Sequence, residues 1–404
     1  MDPMSMQRPL GPGGYIAVVG IVAAALLASI GAREASAVNP IVNINLFTQA
    51  DTRALAMGNA FGAVARGEGA LLYNPAGLVL FNYDIKAEYS AAFQGSGGAF
   101  AQETYALLGG IGGSAPPLAT YLANYQGTTQ GYNFQTFGSA VANLGHIHLG
   151  LGAGNLDSHR YSIGFDPYAL TAGVGLHFTD EAVQMQNTAI AFKIMGGKTL
   201  LGISAKTVAY SKSIATVDYS TAEAAGNITP TFTSDKFPTA TLYDVGIISR
   251  SEFWPRMRPQ ISITAYNLGG GTLTGATSSV DIPASYNLGL ALGPETPVIH
   301  WILSFELEDV TSALGVWDGA VNQPRSAAQR FHAGFELGLI RTPTGNNVLN
   351  VRAGMNGTGV TYGWELNLWS LRLGYVSGQQ DLGHETNSIM FNFSGYHLGL
   401  AMTW

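Results

Sequence analysis

Residues 396–404 read Tyr-His-Leu-Gly-Leu-Ala-Met-Thr-Trp, and this closing stretch decides the fold class. Tyr396, Leu398, Leu400, Met402 and Trp404 are large and apolar, while His397, Gly399, Ala401 and Thr403 between them are small or polar. A period of two marks a β-strand, because successive side chains point to opposite faces. The pattern recurs upstream. Phe331, Ala333, Phe335, Leu337 and Leu339 alternate with His332, Gly334, Glu336 and Gly338. Tyr362, Trp364, Leu366 and Leu368 alternate with Gly363, Glu365 and Asn367, and Trp301, Leu303, Phe305 and Leu307 with Ser304, Glu306 and Glu308. A water-soluble sandwich buries its apolar face and shows water a charged one. Here the smaller face is rich in Gly, Ser and Asn, as suits a barrel lumen. The bulky face, with Trp and Tyr near strand ends, suits lipid.

Composition supports the same reading. Only 11% of residues are charged, against about 25% in an ordinary soluble domain. After Ile30 the best apolar runs are Leu78-Val79-Leu80-Phe81 and Val298 to Leu303, far too short for a spanning helix. A membrane protein without such helices must close its strands into a barrel, because lipid offers backbone groups no partners. Strand starts fall near Ile85, Phe134, Ile147, Thr171, Thr188, Leu200, Thr241, Gln260, Ser285, Val298, Arg330, Val348, Thr361, Leu371, Ser388 and His397. Bacterial barrels close on an even number, and the expectation is an all-β, transmembrane antiparallel barrel of about 14 strands. The net charge of -7 argues against nucleic acid, which needs a basic footprint. Zero cysteines exclude disulfides, thiolate metal sites, Cys nucleophiles and an N-terminal lipid anchor.

The chain divides into three. In residues 1–37 a short polar start precedes the apolar run from Tyr15 to Ile30, and Ala35-Ser36-Ala37 matches the small-x-small pattern of signal peptidase. The run of about 16 residues is shorter than the roughly 20 of an uncleaved anchor, the alternative. Residues 38–82 break the strand pattern. Asp51 to Ala65 places Leu55, Met57, Phe61 and Val64 at mixed helical spacing, with Asp51 or Thr52 as cap. Pro75 then forces Asn74 out of the helical region, and Gly77 permits a tight bend. A short helix and turn before the first strand fit inside the lumen as a plug. Residues 83–404 form the barrel. Gly357-Thr358-Gly359, Trp369-Ser370 and Asn346-Asn347 read as tight turns. Gln94–Gly131, Ser211–Pro238 and Thr311–Gln329 read as long loops, expected at the opposite end.

Arg53-Ala-Leu-Ala-Met-Gly-Asn-Ala-Phe61, followed by Ala70-Leu-Leu-Tyr-Asn-Pro-Ala-Gly-Leu78, resembles the outer-membrane superfamily of long-chain fatty acid transporters (FadL-like). It is closest to the branch holding the PorV-type proteins of type IX secretion and related barrels. Tyr266-Asn-Leu-Gly269, Pro283 to Leu290 and Val351-Arg-Ala-Gly-Met-Asn356 fit as well, and the terminal Trp404 resembles the signal read by the barrel-assembly machinery. Where that branch has Met-Gly-Gly-Ala-Phe, this chain has Asn59, which tolerates left-handed backbone. The resemblance implies an exported barrel in the outer membrane of a two-membrane bacterium, bathed in its lipids, with an N-terminal plug. It implies passive uptake of hydrophobic small molecules such as long-chain fatty acids, which leave sideways past the plug. The alternative is a non-transporting barrel that scaffolds or shuttles secreted proteins.

Ligand-contacting candidates are plug residues Leu55, Met57, Phe61, Leu71, Leu72, Asn74 and Pro75. The apolar members either line a pocket or merely pack the plug. Glu306, Glu308, Glu336 and Glu365 share the small-residue face with Arg352 and Arg372, with His332 and His397 nearby. Buried charges persist when paired, so these form either a gate and ligand anchor or, the favoured reading, an ion-pair network holding the lumen's shape. His146 and His148, two apart on one strand face, lack a third metal ligand. Asp157-Ser158-His159 holds triad residue types, but adjacent residues do not converge into a relay. Gly150-Leu-Gly-Ala-Gly154 lacks the phosphate-loop pattern and makes room for the plug or for curvature instead. No enzyme activity, cofactor or metal is expected.

Overall fold

The computed structural model describes residues 51–80, 83–96, 120, 129–164, 175–218, 231–251, 254, 257–293, 300–311, 313–314, 316–317, 322–341, 347–381 and 390–403. The export segment to Ala37, its cleavage point, residues 38–50 of the expected plug and Trp404 lie outside them.

Fourteen antiparallel strands form one closed wall: β1 Ile85–Gly95, β2 Thr129–Asn143, β3 Ile147–Gly164, β4 Gly175–Ile194, β5 Thr199–Asp218, β6 Ala240–Arg250, β7 Gln260–Leu268, β8 Ser285–Leu292, β9 His300–Leu307, β10 Phe331–Arg341, β11 Asn347–Asn356, β12 Gly359–Leu368, β13 Leu371–Asp381 and β14 Met390–Thr403. Each strand pairs with its sequence neighbours, and β1 closes the cylinder on β14 with Tyr89 opposite Leu400 and Phe93 opposite Tyr396. Closure leaves no unpaired edge, which hydrocarbon requires. The sixteen expected starts reduce to fourteen. Thr188 lies inside β4 and His397 inside β14. In both, the outward face changes midway from polar to apolar (Gln186 to Ile190 and Ser394 to Leu398), and that change imitates a strand boundary.

The alternation takes the expected direction. Tyr396, Leu398, Leu400 and Met402 are 48–63% exposed on the outer surface, whereas His397 between them is 8% exposed. Leu288 and Leu290, Phe331 and Phe335, and Tyr362 and Trp364 continue this apolar belt on β8, β10 and β12. The loop asymmetry holds with two corrections, the first being that the loop expected from Ser211 begins only after Asp218, because β5 runs on through Ser211. The connections 96–128, 219–239 and 308–330 share one end, and the short 144–146, 195–198 and 369–370 share the other. Gly357-Thr358, however, joins β11 to β12 at the long-loop end. Antiparallel order dictates the end, and Gly357, at φ 61°, makes a two-residue link feasible there. The space above it is taken by Gln329 of the helix Ala327–Arg330, whose backbone a Cβ on Gly357 would strike.

Two long connections fold onto the mouth near β5–β7. The short strand Thr233–Lys236 lies along β5, and Thr272–Thr274 pairs with Ser279–Asp281 in a hairpin. Asp235 joins them. Its carboxylate accepts from the backbone N–H groups of Ala276, Thr277 and Ser278 at 2.6, 3.1 and 2.7 Å and from the Thr277 and Ser278 hydroxyls. Burial would raise its pKa, but these donors outweigh burial and hold it at about 2.

Candidate functional site

The lumen is filled by Asp51–Leu80. Helix α1, Thr52–Ala56, is capped by Asp51, whose carboxylate accepts from Arg53 N at 2.9 Å and Ala54 N at 3.3 Å. It is shorter than the expected run to Ala65, because Gly58 and Asn59 both take positive φ (64° and 65°) and turn the chain back, with Asn59 N–H donating to Ala54 O at 2.8 Å. A second helix, α2, spans Glu68–Tyr73, and a 3₁₀ turn follows over Pro75–Leu80. Asn74 sits between them, fully buried. Its amide donates to Gly62 O at 3.0 Å and its carbonyl accepts Ala76 N–H at 3.1 Å, tying the two halves of the segment together.

Irregular backbone inside a barrel needs partners for its N–H and C=O groups, and the wall supplies them. Glu306 accepts Phe61 N–H at 2.9 Å and Gly62 N–H at 2.7 Å. His332 meets Gly58 O at 2.8 Å, Asn187 donates to Leu71 O at 2.6 Å, Thr361 to Ala56 O at 3.3 Å, and the Tyr266 hydroxyl to Tyr73 O. Elsewhere the wall yields space. Cβ atoms on Gly202 or Gly246 would overlap Pro75, Ala76 or Asn74, and one on Gly150 would press on Leu71 and Leu78.

The charged candidates divide into two groups. Glu336, Arg352, Glu365 and Arg372 form a chain across β10–β13. Arg352 reaches Glu336 at 2.6 Å and Glu365 at 3.2 Å, and Arg372 approaches Glu365 at 3.9 Å. The plug enters this chain at both ends. Arg53 grips Glu336 with two bonds, at 2.8 and 3.0 Å, and Glu68 pairs with Arg372 at 3.2 Å. Glu88 of β1 pairs with Arg372 and Lys86. Four carboxylates thus alternate with four cations. Glu306 stands apart as a backbone acceptor, also taking the Asn287 amide at 2.7 Å, and Glu308 pairs with Arg325 and His332.

Sequence reasoning missed Arg53, Glu68, Lys86 and Glu88. Lys86 and Glu88 were within reach, since Ile85, Ala87 and Tyr89 beside them belong to the outward set. Asn187 and Tyr266 had no signal of their own. The remaining candidates resolve plainly. His148 points inward and is fully buried, whereas His146 sits exposed in the preceding turn, so the two share no face. His159 faces outward and meets Asp180 at 2.7 Å, while Ser158 between it and Asp157 is buried on the other face.

Leu55, Met57, Phe61 and Leu71 are at most 1% exposed and pack the plug against the wall; Phe61 stacks edge-on with Tyr73 at 4.9 Å. Pro75 lies on Gly202 and Gly246. The recesses beside the plug are water-sized and of mixed lining. One, of about 10 Å³, lies against β1, β2 and β14, lined by Asp51, Glu68, Gln135 and His397 with Leu72 and Phe137. The other, of about 30 Å³, is bounded by Asn59, Tyr73, Tyr266, Asn287 and Glu306.

No family model and no curated protein sequence matches this chain. Solved structures do. The Ralstonia pickettii toluene transporter TbuX superposes with a TM-score of 0.52 at 13% identity, covering 87% of this chain and 98% of TbuX. A TodX mutant described as a monoaromatic hydrocarbon channel gives 0.51 at 11% identity, with 87% and 98% covered. At these identities the likeness is one of fold, and on that level it agrees with the resemblance carried by Arg53 to Leu78.

Proposed function

We propose that this chain is an outer-membrane channel through which hydrophobic small molecules, long-chain fatty acids or small aromatic hydrocarbons among them, cross passively, with Asp51–Leu80 as a movable stopper. The observation that carries this reading is a barrel of hydrocarbon-channel fold whose lumen is filled rather than open. A water-filled pore would pass ions and sugars, whereas a filled one restricts passage to molecules that displace or slip past the filling. Such a molecule needs no energy source, because leaving water releases roughly 25 cal/mol per Å² of apolar surface buried. The chain reaches the membrane through the export segment ending at Ala37, and Trp404 addresses it to the barrel-assembly machinery.

The mechanism rests on the reversibility of the plug's fastenings. Glu306, His332 and Glu336 hold the stretch from Arg53 to Gly62 by hydrogen bonds and ion pairs that water can replace. Asn74 holds that stretch to the second half, so loosening it shifts the two independently. The test is uptake of labelled toluene and labelled palmitate into proteoliposomes. Wild-type barrels are expected to pass at least one faster than protein-free vesicles, and Asn74→Ala to alter that rate while migrating as a folded, heat-modifiable barrel. Uptake equal to protein-free vesicles for both compounds sinks the reading. Capture of a secreted protein by barrels that pass neither favours the scaffold instead.

A further inference from the structure

Arg66 lies in the link between the two halves of the plug and is exposed, although Ala65 and Gly67 on either side of it are buried. Arg53, Arg352 and Arg372 each hold a carboxylate, whereas Arg66 has no hydrogen bond or ion pair among the described residues. Its strongest acidic neighbour is Glu336, and Glu336 in turn feels Arg53, Arg352 and Arg66. Three cations thus face one carboxylate, and two of them grip it. The nearby Arg53 charge lowers the Arg66 pKa to about 10, which leaves Arg66 charged at neutral pH. Its backbone is fastened on the side of the second half. The Ala65 carbonyl rests on Gly77, where a Cβ would come within 2.1 Å of its oxygen, and Gly67 lies beside the Lys86 ammonium. Arg53, by contrast, belongs to α1 in the first half.

We infer that Arg66 is a second cation for Glu336, which competes with Arg53 and receives the carboxylate when the first half of the plug moves away. The argument is one of unpaired charge. Drawing Arg53 off Glu336 takes one partner from a buried carboxylate, and breaking a buried pair is strongly unfavourable. Glu336 Oε1 accepts from Arg53 alone among the described residues, so that oxygen is the one left bare. A long arginine side chain on the half that stays can swing onto it. Glu365 is a poorer target, because Arg352 and Arg372 both remain beside it. In the closed plug the same Arg66 charge repels Arg53. Both effects bring the open arrangement nearer in free energy to the closed one. Arg66 is therefore a positioning residue, which acts through Glu336 and touches no cargo. The inference rests on the reading of Asp51–Leu80 as a movable stopper and names the residue that eases its movement.

The experiment is hydrogen exchange of the full-length protein in detergent micelles. It reads opening of the first half at the Leu55, Phe61 and Gly62 amides, which bond to Asp51 O and Glu306 in the closed plug. Arg66→Gln is expected to slow exchange at these amides about tenfold, a size typical of coupling between charged neighbours, and Arg66→Lys to keep it near wild type. The sign is diagnostic, because losing a residue that merely supports the plug speeds exchange. Unchanged or faster exchange in Arg66→Gln overturns the inference. A second comparison separates handover from repulsion. In Arg53→Gln, Arg66 already has the vacated oxygen, so adding Arg66→Gln is expected to lower the urea midpoint further. No further loss shows that Arg66 acts by repulsion alone and overturns the handover. The exchange sign decides even where Arg53→Gln does not fold. Proteoliposome uptake is scored separately. Passage of toluene or palmitate with unchanged exchange in Arg66→Gln overturns this inference alone, whereas slowed exchange and a lowered midpoint with passage of neither uphold it and sink the channel.

Discussion

Along β9–β13 the wall meets the plug through charge, added to a seat of glycines (Gly334, Gly354 and Gly363) on which Ala56, Met57 and Gly58 lie. Arg53 lies between Glu336 and the ring of Phe61, Glu68 meets Arg372, and His332 and Glu306 take up backbone groups. Along β3–β6 the wall meets it mainly through missing side chains. Gly150, Gly202 and Gly246 let Leu71, Leu78, Pro75 and Asn74 lie on the strand backbone, and the nearby Lys206–Asp244 pair at 2.8 Å links wall to wall. The difference matters for any motion. A charge contact can lengthen, admit water and re-form, whereas a close steric fit has one arrangement and resists sliding. On the proposed reading, the charge-held first half of the plug is the half that lets go, and the second half is the hinge side.

The sharpest way to break this comparison is Glu336→Gln. The change leaves Arg53 and Arg352 buried with their shared partner's charge removed, and losing one member of a buried pair costs about 3–5 kcal/mol. Urea unfolding in detergent micelles should show that loss, with protease sites around Arg53 to Gly62 opening before the wall does. Stability within about 1 kcal/mol of wild type would show that charge does not hold this half. On the opposite side, Gly246→Ala puts a methyl onto Asn74. Overpacking of this kind costs about 1–3 kcal/mol. The loss should be the same in low and high salt and should expose Leu71 to Leu80. Loss confined to the first half would reverse the assignment of hinge and release sides.

Much of this architecture was legible in advance, for one reason. A lipid-facing barrel imposes period two on every spanning strand, so Tyr396 to Met402 and Tyr362 to Leu368 declare their outward faces without tertiary information. The strand total was legible through closure, although Gln186 and Ser394 concealed continuous strands. The charged chain was half legible. Glu336, Arg352, Glu365 and Arg372 share a face by local alternation, but Arg53 and Glu68 join from 283 and 304 residues away, a pairing that only the fold creates. The plug was the least legible part. Its conformation follows from the cavity it fills, and the glycines that receive it read locally as strand weakness rather than as sockets.

The smallest expected effect is local and sits above both halves, where Asp235 staples the strand Thr233–Lys236 to the hairpin Thr272–Asp281. Its folded pKa, about 2, lies below the ordinary value of 3.8. A group whose pKa is depressed on folding stabilises the folded form above its unfolded value, and that contribution fades as pH falls through the folded one. The loop contact should therefore be constant from pH 7 down to about 4 and weaken between about 4 and 2, as the carboxylate takes a proton and becomes a poorer acceptor for five donors. Hydrogen exchange at Ala276, Thr277 and Ser278 reads this directly. Protection should fall in that window in wild type and be low and nearly flat with pH in Asp235→Asn, whose amide carries no charge to lose. Wild-type protection that fades already near pH 5 would mean that the carboxylate is not held by these donors, and that the mouth near β5–β7 is as loosely fastened as the first half of the plug.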